Sequence, residues 1–368
     1  MDDTQTVKFF DFESHKNNAI DWYRKIRPIY EAYCYTLKSI VENCLRASHI
    51  KFQTIEARAK DIERFWEKAA ERLDEDPETP KYKKPLTEIK DLAGVRIITY
   101  FPSTIDDVDK IIYNEFDVIE KNNKNDLLEE EEKMGYKSVH YLVKLKNTRT
   151  HHPEYASFEN LIAEIQVRTI LQHAWAEIEH DIEYKSTITI PKNIKRRFMS
   201  LAGLLEIADR EFQSIQNENE DLKKQSRESV NMGKLDKVEI TGDSLRAYLD
   251  KKYGPDGRMS EWSYQYTAGN LIKMGFESLK QIDECVQEYD DDKISRILWW
   301  SRPGQLSRLE NVILAALGDD YLNRHPWCTT NPSESDTWKG IFKRKIDRLE
   351  KEGIQTGKYN LKKSGEVI

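Results

Sequence analysis

The chain has 368 residues, 38% hydrophobic and 33% charged, with a formal net charge of -7. This length and apolar content suffice for two cores better than one, and the negative balance excludes an overall basic nucleic-acid coat while leaving room for a local basic cleft. The cysteines Cys34, Cys44, Cys285 and Cys328 form no CxxC pair, the first residues MDDTQTVKFFDFESHKN are polar, and no run of about 18 apolar residues occurs, so a reducing cytoplasm is expected, without zinc site, secretory segment or membrane span.

In chain order, apolar residues at helical spacing predict helices over 13–48 and 56–73, with Tyr23, Ile26, Tyr30, Ala32 and Leu37 on the buried face of the first. Pro77, Pro80 and Pro85 close that region ahead of a strand at 95–101. A helix near 105–115, a strand near 117–120 and the polar loop NNKNDLLEEEEK follow; its run Glu129–Glu132 reads as solvated, and its movement would gate Tyr136. Alternation in SVHYLVKL at 138–145 and IAEIQVR at 162–168 predicts half-buried strands, and ILQHAWAEIEHDIEYK at 170–185 an amphipathic helix packed through Trp175, Ile178 and Ile182. A helix around 192–227 becomes strongly charged after Phe212, which places a domain boundary near 225–235, and short helices interrupted by GPDG and RPG fill the remainder.

Asp91 and Glu164 each stand at the edge of a strand in the two stretches where apolar, basic and acidic residues are most finely interleaved. Two carboxylates on neighbouring strands can share magnesium, neutralise a polyphosphate and help activate an acceptor hydroxyl. Arg58, Lys60, Arg64 and Lys68 are expected to present positive groups together on one helix, with Arg96 and Arg168 beside the acids. By spacing alone, a solvated charged helix and two structural ion pairs fit as well. Phe65 and Trp66 read as packing residues, and Glu177, Glu179, His180 and Asp181 scatter over several helix faces, which argues against a zinc site.

The order of these motifs carries further. Arg58, Ala59 and Lys60, then Lys68, the run Asp91-Leu92-Ala93-Gly94-Val95-Arg96, the run from Gly135 through Tyr136, Lys137 and Ser138 to His140, and Glu164-Ile165-Gln166-Val167-Arg168-Thr169 closely resemble the synthetase domain of the RelA/SpoT family over about residues 15–215. The segment Trp175–Lys185 is similar to its small alarmone synthetase branch. The resemblance implies an α+β fold, a mixed β-sheet, nucleotidyltransferase-like synthetase core flanked by helices over 1–225, with a mainly helical regulatory region over 226–368. It implies an ATP-dependent pyrophosphokinase that passes an intact pyrophosphate to a ribose hydroxyl and releases AMP, with Mg2+ as cofactor.

Carried onto this sequence, the resemblance places Arg58 and Arg96 on opposite faces of adenine, where planar guanidinium groups stack. Lys60 and Lys68, with Arg64, would hold the phosphate chain, Asp91 would carry magnesium, and Glu164 would assist the metal or deprotonate the attacking hydroxyl. Tyr136 would stack on the acceptor base, Lys137 and His140 would lie near acceptor phosphates or ribose, and Gln166, Arg168 and His173 would shape the acceptor side. Two departures bear on the acceptor: Arg64 stands where the pattern has serine, and His173 where a guanine-contacting asparagine often appears. The tail is similar in position to that of fused toxic small alarmone synthetases, including the phage-sensing CapRel type, in which a C-terminal antitoxin-like region restrains catalysis. That implies the tRNA 3′-CCA end as acceptor, translation arrest, and a phage structural protein as trigger, with GDP or GTP as the alternative acceptor and a noncatalytic nucleotide sensor as the alternative class. The restraining YxxY element is not recognisable, since Tyr264 and Tyr266 have the wrong spacing and Tyr30 and Tyr33 lie in the N-terminal helix.

Overall fold

The computed structural model describes residues 10–73, 75–123, 138–185, 191–236, 238–330 and 332–361. Packing divides the chain into two units, Met1–Ile215 and Gln216–Ile368.

The first unit is built on a five-stranded sheet in the order β1-β2-β5-β4-β3, from β1 (Phe52–Ala59), β2 (Ala93–Thr99), β3 (Phe116–Asn123), β4 (Val139–Leu145) and β5 (Ala163–Thr169). Only the central β2–β5 pair is parallel. Because side chains alternate across a strand, one face takes Ile55, Val95, Ile97, Ile165, Val167, Tyr141 and Val143 into the core, and the other carries the charged residues. Helix α1 (Phe12–Ala47) covers the apolar face through Tyr23, Tyr30, Tyr33, Leu37, Ile40, Val41 and Leu45, spaced by three and four. Ala32 is exposed, contrary to the sequence expectation; the buried stripe passes through its neighbour Tyr33 instead. Asp11 caps α1 by accepting from the Ser14 amide at 3.0 Å.

Residues 56–73 do not form one helix. FQTIEARA pairs antiparallel with β2 along its length, and helix α2 spans Ile62–Ala69 after a break at Lys60 and Asp61. Glu, Ala and Arg are good helix formers, but here cross-strand pairing and the burial of Ile55 and Ala59 override propensity. The four cations expected on one helix are therefore split among a strand, its end and a short helix.

Helix α3 (Ser103–Glu115) and helix α4 (Ile170–Lys185) fall where the sequence placed them, and α4 packs on β5 and β2. Among its described side chains only Gln172 and Trp175 are buried, whereas Ile178 is 57% and Ile182 37% exposed, so the expected packing of these two isoleucines is not met. Phe65 is fully buried and stacks on Tyr23 at 4.3 Å, while Trp66 stays 38% exposed under the Lys16 ammonium. Helix α5 (Lys192–Asn231) contains the division between units.

The second unit is helical among its described residues: after α5 come α6 (Gly242–Tyr253), α7 (Glu261–Met274), α8 (Leu279–Val286), α9 (Asp291–Trp299), α10 (Gln305–Leu317) and α11 (Pro332–Lys351), with one-turn segments between the last two. Its core centres on α10, buried almost throughout. Arg308 is fully buried, donating to Asp291 at 2.9 Å and lying over the Tyr253 ring, a pair whose disruption costs about 3–5 kcal/mol. No helix among the described residues is long and apolar enough to cross a membrane.

Candidate active site

The polar face of the sheet forms three rows across the strands. Arg58, Gly94, Glu164 and Leu142 stand opposite one another in one row, Glu56, Arg96, Gln166 and His140 in the next, and Ile98 with Arg168 beyond. Cross-strand neighbours in such rows lie about 4.5–5.5 Å apart, so the donor-side and acceptor-side residues of the sequence reading share one surface.

Asp91 precedes β2 by two residues. Its Oδ2 accepts from Lys60 Nζ at 2.7 Å and Lys68 Nζ at 3.1 Å, while Oδ1 is buried without a hydrogen-bond partner. Burial disfavours the Lys68 ammonium, but attraction and hydrogen bonding to Asp91 outweigh it and raise its pKa. Lys60 is held from behind, its carbonyl accepting from Tyr23 Oη at 2.7 Å and Arg27 Nε at 3.2 Å, so α1 fixes the end of β1 where the lysine turns toward the acid. Arg64 pairs with Glu67 of its own helix at 3.5 Å.

Glu164 is gripped on both oxygens. His140 Nδ1 lies 2.7 Å from Oε1, and Gln166 Nε2 donates to Oε2 at 2.9 Å; Arg168 in turn donates to Gln166 Oε1. Arg168 is buried, which together with the nearby Arg96 charge lowers its pKa to about 10, still cationic at neutral pH. Arg96 is paired with Glu177 at 2.8 Å and Glu56 at 3.3 Å, so α4 borders the same face. Arg58 has no ion pair among the described residues and is exposed. His173 places a buried Nδ1 3.8 Å from Glu177, and burial lowers its pKa. Tyr136, Lys137 and the Glu129–Glu132 run lie outside the described residues.

The orphaned Asp91 Oδ1 fits a magnesium ion. Among the described residues no three His, Cys, Asp or Glu side chains converge as a metal cage, and magnesium characteristically takes one or two protein carboxylates and completes its shell with phosphate and water. Sequence reasoning found both acids but missed their supports: Tyr23 and Arg27 behind Lys60, Glu56 and Glu177 on Arg96, and the Ser138–His140 contact. The i, i+2 spacings Ser138/His140 and Glu164/Gln166 were the available signal, since they put each pair on one face of a strand.

Residues 57–189 match the region found in RelA/SpoT proteins. That stretch is a RelA/SpoT-type region. It is 29% identical over 175 residues to the GTP pyrophosphokinase YjbM of Bacillus subtilis (strain 168), covering 46% of this chain and 74% of that protein. It is 32% identical over 136 residues to the GTP pyrophosphokinase YwaC of the same organism, covering 37% and 62%. The crystal structure of the small alarmone synthetase 1 from Bacillus subtilis bound to its product pppGpp aligns with a TM-score of 0.43 and 24% identity over 54% of this chain and 97% of its own. The RelA/SpoT region holds every described residue of the polar face except Glu56, and the helical second unit lies outside it.

Proposed function

We propose that this RelA/SpoT unit transfers the β,γ-pyrophosphate of ATP to a ribose hydroxyl of a guanosine di- or triphosphate. The carrying observation is the divided use of Asp91, with one oxygen fixed by two lysines and the other buried and unpartnered, on the segment that leads into β2, whose Gly94 pairs with Glu164. In the reaction the acceptor oxygen attacks the β-phosphorus, the bond from that phosphorus to the α,β-bridging oxygen breaks, AMP leaves with the bridging oxygen, and Glu164 receives the hydroxyl proton. Lys60 and Lys68 hold the phosphates, and Arg58 and Arg96 stack on the adenine. Asp91 would hold magnesium, which would supply charge neutralisation on the polyphosphate.

The names of the two curated relatives favour the guanosine nucleotide. The tRNA 3′-CCA end is the second reading, and it rests on His173, whose single neutral ring nitrogen donor differs in geometry from a base-reading amide. In either case we propose that the region 226–368 restrains the synthetase in the cytoplasm until a protein partner, such as a phage structural protein, engages it. Labelled ATP incubated with GDP, GTP, intact tRNA or tRNA lacking CCA separates the readings. Label on GDP or GTP with none on tRNA supports the first; label that requires an intact CCA end supports the second; no AMP with any acceptor refutes both and leaves a sensor.

A further inference from the structure

His140 stands in the sequence as an acceptor contact, but its surroundings give it other work. The residue is 8% exposed, and both ring nitrogens are engaged: Nδ1 with Glu164 Oε1 at 2.7 Å and Nε2 with Ser138 Oγ at 2.8 Å. A carboxylate only accepts hydrogen bonds, so the proton between His140 and Glu164 sits on Nδ1. In the neutral ring Nε2 is then a lone pair, and the Ser138 hydroxyl donates to it. A ring in this tautomer has no remaining N–H to offer a phosphate oxygen. We infer that His140 serves the reaction through Glu164, as the residue that positions the base, and does not contact the acceptor.

The backbone prepares this arrangement. His140 is in register with Gln166 and Leu142 with Glu164, so the imidazole approaches Glu164 diagonally while Gln166 approaches from two residues along the same strand. His140 and Gln166 hold different oxygens of the carboxylate, and turning it toward the substrate or away breaks both bonds. Gln166 cannot flip its amide freely, because Arg168 donates to its Oε1. An acceptor hydroxyl that reaches this carboxylate meets a base whose direction is already set. A displacement of about 1 Å at a reacting group costs on the order of a hundredfold in rate. Ser138 fixes the tautomer from the far side, as the outer partner of a histidine commonly does.

The inference rests on Glu164 being the base, and the experiment separates the two. AMP release from ATP is measured for the full chain with GDP and, in parallel, with tRNA, alongside melting curves. His140→Ala is expected to lower kcat about a hundredfold with KM for both substrates within about threefold of wild type. His140→Asn places an amide N–H near the Nδ1 position and should recover at least about tenfold of that loss; His140→Gln reaches toward the Nε2 position and should not. A raised acceptor KM with kcat retained in His140→Ala, or better rescue by Gln than by Asn, overturns the positioning role in favour of direct acceptor contact. Near-normal transfer by Glu164→Gln would instead remove the base itself. Glu164→Gln inactive with Asn no better than Ala leaves the base standing and removes only the role of His140. A readout independent of turnover comes from nitrogen-15 histidine spectra of the full chain without nucleotide or metal: the His140 resonance, identified by its loss in His140→Asn, should report the Nδ1–H tautomer, and an Nε2–H tautomer refutes the inference even if His140→Ala fails to fold.

Discussion

Replacing Asp91 by Asn separates the metal role of this side chain from its structural one, because the amide keeps the volume and one oxygen while removing the charge. Two costs are expected, and they differ in size. Transition-state stabilisation by a bound metal amounts to several kcal/mol, and losing the anionic ligand that the buried Oδ1 provides should lower kcat about 100- to 1000-fold, or roughly 3–4 kcal/mol. The structural cost is smaller: Asp91 accepts from Lys60 and Lys68 at 2.7 and 3.1 Å in a partly open pocket, where screened pairs contribute up to about 1 kcal/mol each. For a unit of this size that corresponds to a fall in Tm of about 2–6 °C. AMP release should be followed across a magnesium titration beside scanning calorimetry. The expected result is a collapse of turnover that excess magnesium does not restore, in a protein that still melts cooperatively. Transfer within about threefold of wild type at ordinary magnesium would refute the metal assignment and leave Asp91 as a lysine anchor.

Two further outcomes follow from the same geometry. Among the described residues a Cβ at Gly94 would meet only the Arg58 carbonyl oxygen, at 3.6 Å, so Gly94→Val should fold with unchanged or slightly raised Tm, yet weaken ATP binding about tenfold by standing up between Arg58 and Glu164; unchanged affinity in an ATP titration would show that this row does not floor the nucleotide site. In the second unit, burial pushes the His325 pKa down to about 4 from an ordinary 6.5. The unfolded chain therefore binds this proton first, and His325 should cost the unit about 3 kcal/mol in total as pH falls from about 6.5 to about 4. Glu310 lines the same small cavity with its pKa raised by burial and works in the opposite direction, stabilising as pH falls through its folded value, so the isolating measurement is a comparison with His325→Asn. The variant should lose less Tm than wild type between pH 7 and pH 5; an equal loss would remove His325 as the source.

The sequence alone pointed to the class of chemistry and to most of the element order. Asp91, Glu164, Lys60 and Lys68 were singled out by the order of the motifs in which they stand, since by spacing alone structural ion pairs fit as well, and α1, α3, α4 and the strands at β4 and β5 were legible because their periodicities are local. What it could not decide depended on partners distant along the chain. The segment 52–59 has helix-forming composition and becomes a strand only because β2 pairs with it, which moves Arg58 onto the sheet and separates it from Arg64. Ile178 and Ile182 carry the right spacing for a buried face, yet they stand exposed among the described residues. The split use of the Asp91 oxygens, the tie between Arg96 and Glu177, and the hold of His140 and Gln166 on Glu164 join residues 2 to 81 positions apart. Local periodicity records which face a residue occupies; hydrogen-bond direction and desolvation at a site arise only when the strands are set side by side.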